Sequence, residues 1–367
     1  MRMRAAVCTA VGGPLEVREV DLRAPGPGEV LVRITATGVC ASDVHVIDGT
    51  LPKPMPIVPG HEAAGRVAQL GPGVDDLAVG DHVVLTILAW CGRCPPCAAG
   101  RRRACAWAAE LAATGTVDGA TTALSLDGAP LHHFTGVSSW AEHAVVPRTG
   151  VVPVTADLPS SQAALLGCAV ATGFGAVRTT ARVRAGQSVA VIGCGGVGLN
   201  VVQAAALAGA VPVLAIDRNR EALRTAAALG ATHTLAADDD APADALIRRV
   251  APDGVDHCFE VLGRPATVEA AWRATAAGGQ ATVVGLLPVA STITLDAYPL
   301  ISEKRLVGTY LGGVEPARDL PDLARAALDG AISLAGLIEE ISLYDLPAAV
   351  ERVRNGRVTA RLVVTLP

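Results

Sequence analysis

The segment Gly193-Cys194-Gly195-Gly196-Val197-Gly198 restricts what this chain can fold into more than any other. It follows an apolar run, Val189 to Ile192, and leads into Val197 to Leu207, whose composition predicts a helix. G-x-G-x-x-G between a strand and a helix is the fingerprint of a dinucleotide-binding turn. Gly193 permits the tight turn, Gly195 lets a pyrophosphate approach the backbone, and Gly198 lets helix and strand pack closely. The phosphate then meets a helix N-terminus, where free N–H groups and the dipole favour an anion. Asp217 ends the next predicted strand, about 20 residues further on, where the fingerprint places an acid. A carboxylate there can accept hydrogen bonds from ribose hydroxyls and would repel a 2′-phosphate, which favours NAD over NADP. Arg218 is adjacent and could pair with a phosphate instead.

From Ser188 the chain alternates strand and helix. Predicted strands are Val189 to Ile192, Val213 to Ile216, Val255 to Phe259 and Ala281 to Val284. Predicted helices are Val197 to Leu207, Arg220 to Leu229 (ended by Gly230), Leu246 to Val250 and Thr267 to Ala276. Such alternation implies an α/β fold with a parallel, doubly wound sheet. The run Ser188 to Ile216 carries no formal charge and is long enough to span a bilayer. Its glycines, Asn200, Gln203 and Pro212 favour strand, turn, helix and strand in a buried sheet.

The first part of the chain is different. Short β-like runs, Glu29 to Ile34, Gly65 to Ala68 and Asp81 to Leu85, are broken by Gly and Pro, which predicts an irregular β domain. Ser160 to Val177 is Ala-rich and predicted helical, with Ser160 or Ser161 as N-cap. Asp238, Asp239 and Asp240 read as a solvated loop. After about Tyr310 come two helices and a last strand, Arg361 to Thr365. With 367 residues, two domains are expected.

A net charge of -5 without a basic stripe, and only 3% aromatics, argue against nucleic acid as a partner. The apolar stretch after Met1 is too short for a signal peptide. Nine cysteines in such a chain point to metal ligands rather than disulfides.

Cys91, Cys94, Cys97 and Cys105 stand at C-x2-C-x2-C-x7-C. Four thiolates at this spacing can close a tetrahedral zinc site with no open position. An iron–sulfur cluster or a redox thiol pair are the alternatives. Cys40, His61 and Cys168 are candidates for a second site with three protein ligands and one exchangeable position. Spacing alone is a weak guide to them. Their neighbours Ser42, Asp43, His45 and Glu62 add a hydroxyl, two carboxylates and an imidazole.

The motifs GVCASDVHVIDGTL, PGHEAAG, the four-cysteine loop, HHF followed by GVSSW, GCAVATGFGAV, GCGGVG and FEVLGR occur in this order over nearly the whole chain. The sequence resembles the zinc-containing alcohol dehydrogenases of the medium-chain dehydrogenase/reductase superfamily. The resemblance implies a GroES-like catalytic domain, residues 1–169 and 311–367, and a Rossmann domain, residues 170–310. It implies two zinc ions per chain, a catalytic one on Cys40, His61 and Cys168 and a structural one on the four-cysteine loop, together with NAD(H). Asp43 would orient His61, and Glu62 would approach the metal during ligand exchange. Ser42 and His45 would carry the alcohol proton outward. Thr172 would pack on the nicotinamide and Arg361 would bind the pyrophosphate.

Further expectations follow from the same resemblance. Leu51, Ile87, Phe134, Thr135, Leu286, Tyr310 and Leu311 would line a largely apolar pocket for a medium or bulky alcohol, aldehyde or ketone. Ala41 replaces an arginine or histidine that many relatives place on the pyrophosphate, so NAD would be held more weakly. Ala222 stands where some relatives carry a lysine near the ribose. A thiol-adduct formaldehyde dehydrogenase is the alternative, opposed by Ala109 and Leu51 where that branch uses an arginine and an acid. A non-catalytic zinc- and dinucleotide-binding regulator is the alternative of another class. The long segment between Cys105 and His132 resembles the dimeric branches. A cytoplasmic homodimer with a small-molecule substrate and no membrane or nucleic-acid partner is expected.

Overall fold

A computed structural model of the protein describes residues 1–238 and 241–367. Asp239 and Asp240 of the expected acidic loop lie outside the described residues. The chain divides into two compact units, Met1–Cys168 with Glu315–Pro367, and Ala169–Val314.

The first unit is β-rich. One set of strands closes a barrel: Arg2–Cys8, Leu15–Leu22, Leu124–Leu126, Ala129–His133 and Ile57–Val58. A second sheet of seven strands is centred on Glu29–Gly38, which pairs with Ala63–Leu70, His143–Pro147 and Arg361–Thr365. Successive side chains of a strand point to opposite faces. Val30, Val32 and Ile34 therefore enter one apolar core, with Val83, Leu85 and Val146. Leu31 enters the other, with Val145 and Val364. Val30 to Val32 and Ile34 are apolar because both faces of this strand meet a core there, while Arg33 between them is exposed.

The second unit is a six-stranded parallel sheet in the order His233–Ala236, Val213–Asp217, Val189–Ile192, Val255–Glu260, Thr275–Val283, Arg305–Gly308. Chain order runs outward from Val189–Ile192 on one side, then returns to its other side at Val255–Glu260. In an open sheet of this kind ligands bind beyond the strand C-termini where the order reverses. Ile192 is in register with both Ile216 and Glu260, so the strands that flank this reversal end together. Ser188 to Ile216 forms strand, turn, helix (Gly196–Leu207) and strand. Among the described residues, no single helix is long and apolar enough to cross a membrane.

Several local expectations need correction. The predicted helix Ser160 to Val177 is interrupted: Ser160–Leu166 and Ala169–Gly175 are separate, and Ala176–Ala181 is π-helical. The first helix ends at Gly167, where a Cβ would lie 2.5 Å from the Leu85 carbonyl oxygen, so only glycine permits this approach to the strand. Its N-cap is Pro159, not Ser160 or Ser161, and no side chain caps it. The Ser160 hydroxyl lies 3.3 Å from His82 Nε2 instead. The helix expected over Thr267 to Ala276 is Pro265–Ala274, started by a proline whose fixed φ suits the first turn. Thr275 is already extended and opens a strand. His233–Ala236 and Arg305–Gly308 were not expected as strands. Both lie at the sheet edges and are only partly buried, so neither carries an apolar signal.

Candidate metal centres and dinucleotide loop

Cys40, His61 and Cys168 come from three distant segments of the first unit, yet their ligand atoms all lie within 4.8 Å of one another. All three residues are buried. Asp43, fully buried in the first turn of the helix Ala41–Ile47, organises the group. Its Oδ2 accepts from the Cys40 N–H at 2.9 Å. Its Oδ1 accepts from the Gly60 N–H at 2.9 Å and faces His61 Nδ1 at 3.0 Å. A carboxylate on Nδ1 makes that nitrogen the donor and leaves Nε2 free as a ligand. Gly60 has φ +92, and a Cβ there would lie 2.5 Å from the Trp140 backbone nitrogen. The turn that presents His61 therefore requires glycine.

The two thiols of this group cannot both ionise in isolation. The Cys40 thiol is held well below its ordinary range, chiefly by a hydrogen bond from Cys168. Cys168 is pushed up by the same bond and by burial. Burial pushes His61 down, but the charge and hydrogen bond of Asp43 outweigh it and raise the imidazole. Two buried sulfurs sharing a proton beside an oriented imidazole are the donor set of a divalent cation that accepts N and S ligands. These residues fit zinc.

Glu62 and Arg361 form a buried ion pair beside the same group. Arg361 Nε donates to Glu62 Oε2 at 2.7 Å, and Nη2 lies 2.6 Å from the same oxygen. The charges of Cys40, Glu62 and Cys168 hold the guanidinium protonated despite burial. Arg361 is thus already engaged within the first unit. Ser42 and His45 lie one turn apart on the helix Ala41–Ile47. The Ser42 hydroxyl is 3.7 Å from Cys40 Sγ. His45 Nδ1 is buried without a hydrogen-bond partner among the described residues.

The second cluster is local in sequence. Cys91, Cys94, Cys97 and Cys105 bring their sulfurs within 4.8 Å of one another. Cys91 and Cys94 lie 3.7 and 3.8 Å from Cys105, sulfur to sulfur. A tetrahedron with zinc–sulfur bonds of about 2.3 Å has edges of about 3.8 Å. A disulfide requires about 2.05 Å. Backbone N–H groups of the loop point at the sulfurs, among them Cys94 N–H on Cys91 at 3.4 Å. Such donors push the Cys94 thiol down to about 6, the Cys97 N–H first among them. This set too fits zinc.

In the second unit the glycine loop follows Val189–Ile192. Gly193 has φ +100, and a Cβ on Gly198 would lie 1.8 Å from the Gly193 carbonyl oxygen. A Cβ on Gly195 would meet nothing within 4 Å, so the space over the start of the helix Gly196–Leu207 is open. Asp217 does more than end its strand. Its Oδ2 accepts from the Cys194 N–H at 2.6 Å and its Oδ1 from the Asn219 N–H at 2.7 Å. Arg218 is exposed, and Thr172 and Ala222 are buried.

The expected pocket residues fall into two groups. Leu51, Ile87, Phe134 and Thr135 belong to the first unit, and Leu286, Tyr310 and Leu311 to the second. Phe134 packs edge-on against His61, ring centroids 5.2 Å apart. Leu51, Ile87 and Thr135 are half-buried. Leu286 and Tyr310 are exposed, and Leu311 is buried.

Sequence reasoning missed the polar support behind this site. Thr37 donates to the Glu62 carbonyl at 3.1 Å and pairs with the Ser139 hydroxyl at 2.7 Å, both residues fully buried. The Ser139 N–H donates to the Gly60 carbonyl. The GVSSW motif was the available signal. Lys53, two residues after Leu51, donates to the Ala112 carbonyl, and burial lowers its ammonium.

Comparison with known proteins agrees with this geometry. Residues 26–156 match the alcohol dehydrogenase GroES-like domain, and residues 196–328 match the zinc-binding dehydrogenase domain. The chain is 36% identical to an S-(hydroxymethyl)glutathione dehydrogenase from Synechocystis sp., over 97% of this chain and 98% of that protein. An alcohol dehydrogenase zinc-binding domain protein from Burkholderia ambifaria superposes with a TM-score of 0.93 at 35% identity, covering 100% of this chain and 99% of the other. Benzyl alcohol dehydrogenase from Acinetobacter calcoaceticus also superposes with a TM-score of 0.93, at 30% identity and 100% coverage of both chains. The chain belongs to the zinc-containing alcohol dehydrogenase family of the medium-chain dehydrogenase/reductase superfamily. It is a zinc-dependent oxidoreductase of the alcohol dehydrogenase type.

Proposed function

We propose that the chain interconverts an apolar, medium to bulky alcohol and its aldehyde or ketone, by hydride exchange with NAD(H) rather than NADP(H). The observation that carries this reading is the convergence of Cys40, His61 and Cys168, buried and oriented by Asp43. A zinc ion on these three residues supplies Lewis acidity to the substrate oxygen. The chain itself holds the ligands still and moves the proton. Asp43 fixes the His61 ring. Ser42 takes the alcohol proton and His45 passes it on, a reading supported by the buried His45 Nδ1, which has no partner among the described residues. Asp217 faces the ribose and disfavours a 2′-phosphate, and Gly195 leaves room for the pyrophosphate. Thr172 packs on the nicotinamide ring. The four-cysteine cluster holds the second zinc with no open position and serves the fold alone.

Within the first unit, Phe134 packs on His61, and Leu51, Ile87 and Phe134 supply apolar surface for the substrate. The working form is a cytoplasmic homodimer, the dimer supported by the long segment between Cys105 and His132 and the compartment by cysteines that gather into two metal-ligand clusters. The similarity to S-(hydroxymethyl)glutathione dehydrogenases favours a second reading, oxidation of a formaldehyde–thiol adduct. Leu51 and Ala109 speak against it, since neither can bind a charged adduct. A panel of alcohols and aldehydes, assayed with NADH and NADPH and their oxidised forms, tests both readings. Turnover of aromatic or branched aldehydes with NADH is expected. Formaldehyde oxidation that requires added glutathione would install the second reading. No turnover by protein holding two zinc ions would overturn both.

A further inference from the structure

The FEVLGR motif contributes no group to the chemistry above, yet it holds the most enclosed acid among the described residues of the second unit. We propose that Glu260 is a positioning residue for the dinucleotide, its carboxyl group holding the turn Val261 to Gly263 against Gly193 where the strand order reverses. This rests on the reading that a dinucleotide lies over the glycine loop.

Glu260 is the last residue of the strand Val255–Glu260 and is fully buried. One oxygen, Oε1, gathers three donors: the Leu262 N–H at 2.9 Å, the Gly263 N–H at 2.8 Å and the Thr267 hydroxyl at 2.7 Å. Two of these shape the turn, and the third ties it to the first turn of the helix Pro265–Ala274. The main chain joins in. The Glu260 carbonyl accepts from Val284 and Gly285, and the Val261 N–H donates to the Ile192 carbonyl. Glu260 thus links the C-terminal ends of three neighbouring strands. The turn presses on the phosphate loop, for a Cβ on Gly193 would lie 2.8 Å from Leu262 Cδ2. The Leu262 side chain is 44% exposed there, beside the glycine loop.

The other oxygen, Oε2, is buried with no hydrogen-bond partner among the described residues. An ionised carboxylate with one bare buried oxygen is costly. Burial accordingly pushes this carboxyl group up, toward its neutral form. The work is done by Oε1 as an acceptor, which an amide can imitate.

The test is direct NADH binding, followed by nicotinamide fluorescence on the two-zinc protein. Glu260→Ala should weaken binding about tenfold, as expected for several lost hydrogen bonds that shape the site. Glu260→Gln should stay within about twofold, because it retains the acceptor. Thr267→Val, which removes one donor, should fall between them and serves if the alanine variant fails to fold. At saturating NADH, kcat should change by less than about twofold in each variant that folds, since binding and not chemistry is affected. Tight NADH binding by Glu260→Ala, or a loss in Glu260→Gln as large as in Glu260→Ala, overturns the proposal. If the alanine variant does not fold, parent-like binding by Thr267→Val overturns it. A parent protein that binds neither NADH nor NADPH overturns the functional reading itself, which separates the two failures.

Discussion

The two thiol clusters of the first unit are assembled in opposite ways. Cys91, Cys94, Cys97 and Cys105 sit within one short loop, and backbone N–H groups of that loop serve the sulfurs. Cys40, His61 and Cys168 are gathered from a helix start, a glycine turn and a helix break, and a buried carboxylate fixes the imidazole. A loop without its own core needs a metal to be ordered. A centre assembled by the core is shaped by the fold around it, and this one offers three protein ligands where the loop offers four.

This contrast is open to attack at several points. The largest effect is expected from Cys40→Ala. Loss of Lewis acidity worth several kcal/mol should lower kcat/KM by about a thousandfold or more. Metal analysis should then find one zinc per chain, with the fold intact by circular dichroism. A folded variant that retains two zinc ions and parent activity would break the assignment.

Cys105→Ala should act on stability instead. Losing a site that binds metal far below its working concentration costs about 4 kcal/mol, or about 10 °C in the unfolding midpoint. The part that folds should keep turnover near the parent rate. An unchanged midpoint would show that the loop is ordered without metal.

Asp43→Asn should be milder. Second-layer partners of a metal-bound histidine are worth about 10- to 100-fold in affinity. Timed extraction by a chelator should release one zinc faster and leave the other unchanged. Equal acceleration of both would mean that Asp43 supports the whole unit rather than one centre.

The smallest effect concerns His133, close to neither cluster's ligands in sequence. Burial lowers its imidazole to about 3, and its Nε2 accepts from the Ala123 N–H at 3.0 Å. The folded value lies below the ordinary value of about 6.5. The unfolded chain therefore takes up the proton first, and the contribution, complete above about 6.5, is lost as pH falls toward 3. Between pH 7.5 and 5.5 the parent should lose about 1.4 kcal/mol more than His133→Gln in urea unfolding. Metal release in acid acts on both proteins and cancels in the difference. Equal losses would sink the assignment of a neutral buried imidazole.

Much of this was legible because it is local. The glycine loop, the four-cysteine spacing and the strand–helix alternation each lie within a few dozen residues, so the order of residue types carries them. What was not legible depends on contacts between distant segments. The break that sets Cys168 follows from the approach of Gly167 to Leu85, on a strand far away in sequence. Thr37 and Ser139 support the His61 turn from two further strands and loops. Edge strands such as Arg305–Gly308 escape because half-exposed residues show no apolar period. The acid of FEVLGR was quoted as part of a resemblance, but nothing in its spacing reveals three donors on one oxygen.

Asp217 has a consequence for anyone who would redesign the cofactor choice. The carboxylate proposed to read the ribose also receives the Cys194 N–H in the middle of the glycine loop. Reader and frame are the same side chain. Replacing Asp217 with a small neutral residue to admit a 2′-phosphate would strip the loop of its acceptor along with the unwanted charge. A successful exchange must keep an acceptor at 217 and find its new cation elsewhere, with Arg218 the nearest candidate.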